Sequence, residues 1–400
     1  MSASSRWIES CRASWGWHSA SSLIPRAAYL HVPFCHHRCG YCNFTLIAGR
    51  PELIERYLHA LERELSVLGH PFPMDSLFVG GGTPSMLTVE QWGELASSIH
   101  RWLPPTVDCE WSIEANPCDV TIDRCLAWRD SGVNRISIGG QSFQDRKLQA
   151  LDRSHTSQQL HVAIDTALRY FSNVSIDLIF AAPLETVEEW HRDLDQAIQS
   201  GIHHVSTYGL TYEKGTRFWT QQSKGLGEPM PQEQELRLYQ TAIDRLIHAN
   251  FEHYEVSNFA RSSKRCRHNE TYWLGNRWFA FGPGAARFVE NTRSVNHRST
   301  TQYLKRMEQE QTPVDEADEL NDCDLAIDQL VFGLRRMEGI SWAALQSSTP
   351  TELRTPLLQV LEQYCNQGWL VLQDDRLRLT RQGLWISDSL WPRLYALLDP

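Results

Sequence analysis

The feature that most restricts the fold is an alternation of short β-rich runs with segments of helical period, repeated six times between residues 27 and 255. The apolar runs are Tyr29-Leu30-His31-Val32, Leu77-Phe78-Val79, Trp111-Ser112-Ile113, Ile136-Ser137-Ile138, Val174 to Phe180 and Val205 to Tyr208. After the first run, Leu53, Tyr57, Leu61, Leu65 and Leu68 form a stripe, with Pro51 in its first turn and Gly69 at its end, the marks of an amphipathic helix. Further helical patterns run over Thr88–Leu103, Ser157–Tyr170, Val187–Ser200 and Gln232–Asn250. A strand followed by a helix and another strand builds a parallel sheet. Six units, at roughly 35 to 40 residues each, are too few for the closed eightfold barrel of about 250 residues. The expected fold is therefore α/β, a partial (β/α)6 barrel over 27–255 with its site at the carboxyl ends of the strands.

The remaining segments do not continue this repeat. Residues 1–26 are rich in Ser, Trp and Arg, lack the apolar centre of a secretory signal, and are read as a frayed N-terminal extension rather than a transit peptide. Residues 256–313 are dense in aromatics and His and are expected to pack on the barrel as an extension. The acidic run Val314-Asp315-Glu316-Ala317-Asp318-Glu319 reads as a linker. Beyond it, helical patterns (Leu325–Met337, Pro356–Gln367) precede a hairpin of Trp369–Leu372 and Arg376–Leu379 turning at Asp374-Asp375. Together these predict a winged-helix-like α+β domain over 318–400. That domain carries 12 acidic and 7 basic residues, the wrong balance for reading DNA.

Whole-chain charge agrees. A formal net charge of -10 argues against nucleic acid or an anionic membrane as partner. No apolar run approaches the roughly 18 to 20 residues of a membrane span. Ten scattered Cys in 400 residues do not form a disulfide framework; a reducing, cytoplasmic setting is expected.

Three of those cysteines carry the chemistry. Cys35, Cys39 and Cys42 are spaced C-x3-C-x2-C. Three thiolates can hold three irons of a [4Fe-4S] cube and leave the fourth iron open, whereas Fe-S clusters usually take four Cys. Two other readings stand beside this one. A structural zinc needs four ligands, with His36 or His37 as the fourth. A dithiol redox pair would leave Cys35 without a role. Polar motifs follow later strands: Gly80-Gly81-Gly82-Thr83-Pro84 after the second, Glu114 at the end of the third, Gln141 at the end of the fourth with Arg153 beyond it, and Asp177 within the fifth. Glycines admit a ligand close to backbone. A carboxylate suits two ribose hydroxyls, and a guanidinium pairs bidentately with a carboxylate. Each could equally be a structural ion pair; at successive strand ends they outline one cofactor site.

The cysteine spacing is that of the radical S-adenosylmethionine (SAM) superfamily. The strings Tyr29-Leu-His-Val-Pro-Phe-Cys35, Gly80-Gly-Gly-Thr-Pro-Ser85, Glu114-Ala-Asn-Pro117, Asn134-Arg-Ile-Ser-Ile-Gly-Gly-Gln-Ser-Phe143 and Ile176-Asp-Leu178 resemble its oxygen-independent coproporphyrinogen III oxidase-like family. The resemblance runs from about residue 27 to 390. It implies a [4Fe-4S] cluster on Cys35, Cys39 and Cys42, and SAM contacts from Tyr29, Gly81, Gly82, Thr83, Glu114, Gln141, Arg153 and Asp177. The oxidases of the family carry a fourth Cys where this chain has Phe44, and a longer arm before the cluster loop. Phe44, with Tyr254-Glu-Val-Ser-Asn-Phe259, His268-Asn-Glu-Thr-Tyr272-Trp273 and Phe281-Gly-Pro-Gly-Ala285, instead resembles the heme chaperone branch. That branch implies heme as a further ligand, with His268 either an axial ligand or a hydrogen-bonded structural residue. Ala286, Asn43 and Ala181-Ala182-Pro183 depart from the family's usual His, Asp and Gly-Leu-Pro; Ala286 removes a second imidazole. The implied function is a heme chaperone serving an acceptor protein, with a membrane-associated acceptor among the options, and with a reductant such as flavodoxin or ferredoxin. The competing readings are coproporphyrinogen III oxidation through a 5′-deoxyadenosyl radical, and a scaffold that has lost SAM chemistry.

Overall fold

The computed structural model describes residues 3–17 and 24–398, with backbone alone for 3–5. Six parallel strands form the centre: β1 (Ala27–Val32), β2 (Met74–Gly81), β3 (Pro105–Ala115), β4 (Arg135–Gln141), β5 (Asn173–Phe180) and β6 (His204–Gly209). They lie side by side in chain order, so each crossover returns to the neighbouring position. Beyond β6 come β8 (Asn258–Ala260), antiparallel to it, and then β7 (Glu252–Glu255). On the other edge β9 (Phe279–Phe281) pairs parallel to β1. The nine-stranded sheet is open, its first and last strands unpaired with each other. This is the expected partial barrel, extended by a seventh parallel strand from the aromatic segment.

The helices start where the sequence places caps. Thr88, Thr156 and Thr186 each close a capping box with Gln91, Gln159 and Glu189, worth about 1 kcal/mol apiece. Outward strand residues such as Leu77, Val79, Ile113, Ile136, Ile138, Ile176 and Val205 are buried under these helices. The alternate, inward positions are polar and also buried: Ser76, Glu110, Ser112, Arg135, Ser137, Ser175, His204 and Ser206. Parallel strands covered on both faces ordinarily read as continuous apolar runs. Here the period of two survives because the barrel interior is polar.

Two expectations are corrected. The N-terminal segment is not frayed within 3–17: helix α1 (Ala3–Ser14) docks on the main core, burying Trp7, Cys11 and Trp15. Arg12 caps the end of α2 (Ile54–Ser66), donating from Nε to Val67 O at 2.9 Å and from Nη2 to Leu68 O at 2.8 Å. Trp15 meets Phe281 edge-on. A Ser- and Arg-rich composition hid this, because the apolar face is supplied by the scattered Trp7, Ile8, Cys11, Trp15 and Trp17. Nor is the acidic run a linker. Val314–Glu319 is a strand pairing antiparallel with Thr292–Asn296. Its acidic side chains are exposed, a pattern suited to a sheet edge that must not recruit another chain. The C-terminal region has its own apolar cluster, built from Leu330, Leu357, Leu361, Leu377 and Trp391 among others, beneath a three-stranded sheet. Its hairpin turns through positive φ at Asp374 and Asp375, as Asp tolerates.

Candidate functional site

A cavity of about 480 Å³ opens at the carboxyl ends of the strands, within the range of small-molecule sites. Cys35, Cys39 and Cys42 line it from the loop after β1, and Gly81, Gly82, Thr83, Glu114, Gln141, Arg153 and Asp177 line it from the strands that follow. The elements expected to meet there do meet. Tyr29 and His268 lie outside the lining. Tyr29 donates or accepts with His31 Nδ1 at 3.1 Å. His268 is 1% exposed, with Nδ1 on Ser76 Oγ at 2.8 Å and Nε2 on the Tyr272 hydroxyl at 2.7 Å. Both imidazole nitrogens are thus engaged below the cavity, where helix α3 (Arg267–Trp273) packs against β2.

The three thiols are held differently. Cys35 is buried with Sγ 3.0 Å from Thr83 Oγ1; Cys39 accepts from Arg153 Nη1 at 3.3 Å. Burial pushes the Cys35 thiol up to about 11. Only a bound cationic centre would draw its proton off at neutral pH. Among the described residues no three His, Cys, Asp or Glu side chains are grouped for a single metal ion. All three cysteines line the one cavity. His36 and His37 also line the cavity, but each is engaged elsewhere. Their side chains are 60% and 54% exposed, each with Nε2 toward a carboxylate, Asp119 at 3.6 Å and Asp152 at 4.0 Å.

Opposite the thiols stands a polar wall. Glu114 Oε2 accepts from Gly81 N–H at 2.9 Å, and a Cβ on Gly80 would come within 2.9 Å of the same carboxyl group. Only glycine leaves that approach open. Burial first, then the nearby Asp177 charge, push the Glu114 carboxyl up to about 7. Asp177 is raised by burial, opposed by hydrogen bonds from Ser206 and Ser137, the latter at 3.2 Å. Arg153 Nη2 donates to Gly139 O at 2.7 Å. Its Nε, and Oε1 of Gln141, are buried without partners. Two orphaned polar atoms on cavity-lining side chains are the mark of a site built for a polar ligand. Gln141 also takes a left-handed φ of 64° at the strand end, local strain of the kind found at ligand sites. A set of donors and acceptors facing three thiols fits an iron-sulfur cluster carrying an amino-acid nucleoside.

Sequence reasoning missed Ser137, Tyr208 and Tyr41, which also line the cavity. The first two were legible as inward positions at strand ends. Tyr41, hydrogen-bonded by Gln141, sits inside the cysteine loop.

Comparison with known proteins adds to this geometry. The radical SAM superfamily model matches residues 29–197 and the HemN C-terminal domain matches residues 321–386. The chain is 30% identical to the heme chaperone HemW of Bacillus subtilis over 92% of its length and 98% of that protein. It is 32% identical to HemW of Synechocystis sp., covering 88% of each. It is also 32% identical to the mitochondrial radical S-adenosyl methionine domain-containing protein 1 of Bos taurus, over 93% of this chain and 88% of that one. In fold it matches coproporphyrinogen III oxidase (HemN) of Escherichia coli with a TM-score of 0.83 at 19% identity, over 98% of this chain and 93% of the other.

Proposed function

The chain belongs to the radical SAM heme chaperone family, and from that premise we propose that it binds a [4Fe-4S] cluster, SAM and one heme, and passes the heme to an acceptor protein. The observation that carries this reading is the convergence of three thiols, the Gly81–Thr83 turn, Glu114, Gln141, Arg153 and Asp177 on one cavity. Cys35, Cys39 and Cys42 would hold three irons. When bound, the cluster supplies an open iron able to take the amino and carboxylate groups of SAM. Gly81, Gly82 and Thr83 offer backbone groups to the methionyl end, and Arg153 offers its guanidinium to the carboxylate. Glu114 accepts from the ribose hydroxyls, with Asp177 beside it. Tyr29 lies outside the cavity lining, with its hydroxyl on His31 Nδ1.

Phe44 supports this function over oxidation of coproporphyrinogen. It stands 59% exposed at the cavity rim, an apolar surface suited to a flat porphyrin in place of the oxidases' fourth Cys. His268 would ligate heme only in a conformation that gives up one of its two ring hydrogen bonds, because axial ligation takes a single nitrogen. The acceptor, whether soluble or in a membrane, and a reductant such as flavodoxin or ferredoxin belong to the same proposal. No described helix is long and apolar enough to cross a membrane.

The test is one anaerobic preparation. Reconstituted protein should carry iron and acid-labile sulfide, lose both in Cys35→Ala, give a saturable Soret change on heme titration, and hand the heme to an apo-hemoprotein. Protoporphyrinogen formed from coproporphyrinogen III with SAM and reductant would replace the chaperone reading with the oxidase one.

A further inference from the structure

The turn that carries Gln141 into the cavity is strained, and a buried ionic network outside the cavity holds it. Gln141 ends β4 with φ 64°, and Ser142 N–H bonds back to Gly140 O at 2.8 Å, which makes a γ-turn centred on Gln141. At positive φ this turn is rare and strained. Ala181, the residue after the neighbouring β5, is also left-handed with φ 63°. One trio of charged side chains grips both turns. Asp193, fully buried on the helix Val187–Gln199, accepts from Ser142 Oγ at 2.7 Å and from Phe143 N–H at 2.8 Å, the two residues after Gln141. Lys147, 2% exposed, donates from Nζ to Asp193 Oδ2 at 3.0 Å and to Glu185 Oε1. Glu185 Oε2 accepts at 3.0 Å from Ala182 N–H, the amide after Ala181. None of the three charged side chains lines the cavity. Apolar packing would stabilise as well as a buried ion pair, and would leave both turns free to relax.

We propose that Asp193 is a positioning residue of the cofactor site: its carboxylate, held by Lys147, anchors Ser142 and Phe143 and so keeps Gln141 in the left-handed turn that sends its side chain into the cavity. This rests on the reading that the cavity takes SAM. Gln141 lines the cavity, and its Oε1 is buried with no hydrogen-bond partner among the described residues. That oxygen is free to accept from a polar ligand. The backbone sets where it points, because a change of φ at Gln141 redirects the Cα–Cβ bond. Relaxation of the turn to negative φ would remove the strain and with it the acceptor. Asp193 opposes that relaxation with both oxygens, one on Phe143 N–H and the other on Ser142 Oγ and Lys147. Ser142 Oγ extends the anchor by accepting from Gln144 N–H at 2.9 Å. Asp193 therefore reaches the ligand through Gln141, without touching it.

The experiment is a double-mutant cycle on full-length, anaerobically reconstituted protein. SAM affinity is read by equilibrium dialysis, with iron and acid-labile sulfide measured alongside. Asp193→Asn keeps the shape of the side chain but removes the charge that Lys147 holds and replaces one acceptor by a donor. It should weaken SAM binding about tenfold, the worth of one hydrogen bond, with cluster content unchanged. Gln141→Ala should weaken binding by a similar factor, and adding Asp193→Asn to Gln141→Ala should weaken it no further. Equal loss from Asp193→Asn in both backgrounds, no loss in either, or loss of the cluster with Asp193→Asn would overturn the proposal. Gln141→Ala binding SAM as tightly as wild type would overturn it too. Should Asp193→Asn not fold, Ser142→Ala takes its place in the cycle. That variant removes one anchor, leaves Phe143 and Lys147 on Asp193, and is decided by the same outcomes. Wild type failing to bind SAM would instead overturn the assignment of the cavity.

Discussion

At His268 the two ring nitrogens meet Ser76 Oγ and the Tyr272 hydroxyl at 2.8 and 2.7 Å, and burial pulls the imidazole down to about 3. A group whose folded value is depressed gives up stability as pH falls below its unfolded value. His268 therefore contributes fully above about 6.5 and loses that contribution toward 3. Its ring ¹⁵N shifts should stay constant between about pH 8 and pH 5, where a free imidazole would titrate; a midpoint near 6.5 would refute the clamped geometry. Gly282 is a second position where one atom decides. It has φ 99°, and a Cβ there would lie 2.5 Å from His31 O, a backbone atom that cannot rotate away. Its N–H also donates to the buried Glu64 Oε2 at 2.8 Å. Gly282→Ala should lower stability by about 2 kcal/mol or more, read as a fall in Tm, because strain and clash add. The motif Phe281-Gly-Pro-Gly was visible in the sequence, but its reason is this approach to β1.

Among the elements, α1 shows what composition conceals. Trp15 is fully buried, edge-on to Phe281 and under the Arg287 guanidinium at 4.4 Å. Arg287 in turn is paired with the buried Glu64, which also accepts from Asn296 and the Tyr303 hydroxyl. Removing the indole opens a cavity over this polar network. Trp15→Ala should cost about 3 to 5 kcal/mol and lower the thermal midpoint of the main core; a loss within experimental error would mean that α1 is dispensable. The acidic strand Val314–Glu319 teaches the converse. Its charges face water while its backbone completes a sheet, so charge density signalled the edge and not the absence of structure. Periodicity located the barrel strands and helices because amphipathic helices and capped starts are local. The seventh parallel strand escaped notice because three residues, Phe279–Phe281, carry no period.

On the scale of the molecule, the main core runs unbroken from α1 through the barrel to Tyr303, while the C-terminal helices and hairpin enclose a second one. The segment bearing His268 contacts both, packing on β2 and on the helix Asp322–Leu334, with Arg335 stacked 4.7 Å over Trp273. That the three thiols and the strand-end motifs meet in one cavity was legible in advance, because they lie within short, spaced strings. Those strings dictate which residues reach the mouth of a parallel barrel, where every strand points its carboxyl end the same way. The remaining facts depend on contacts between segments far apart in the chain. Tyr29 was expected to touch SAM and His268 to touch heme; packing leaves both outside the cavity lining, Tyr29 on His31 and His268 on Ser76 across 192 residues. Arg135 read as one more strand residue, and its burial with a single long hydrogen bond to Ser112 emerges only from the assembled fold. Spacing along the chain determined the sheet, the thiol trio and the motifs that line the cavity. Burial, set by long-range packing, decided which polar groups are satisfied, which carry charge and which remain open to a ligand.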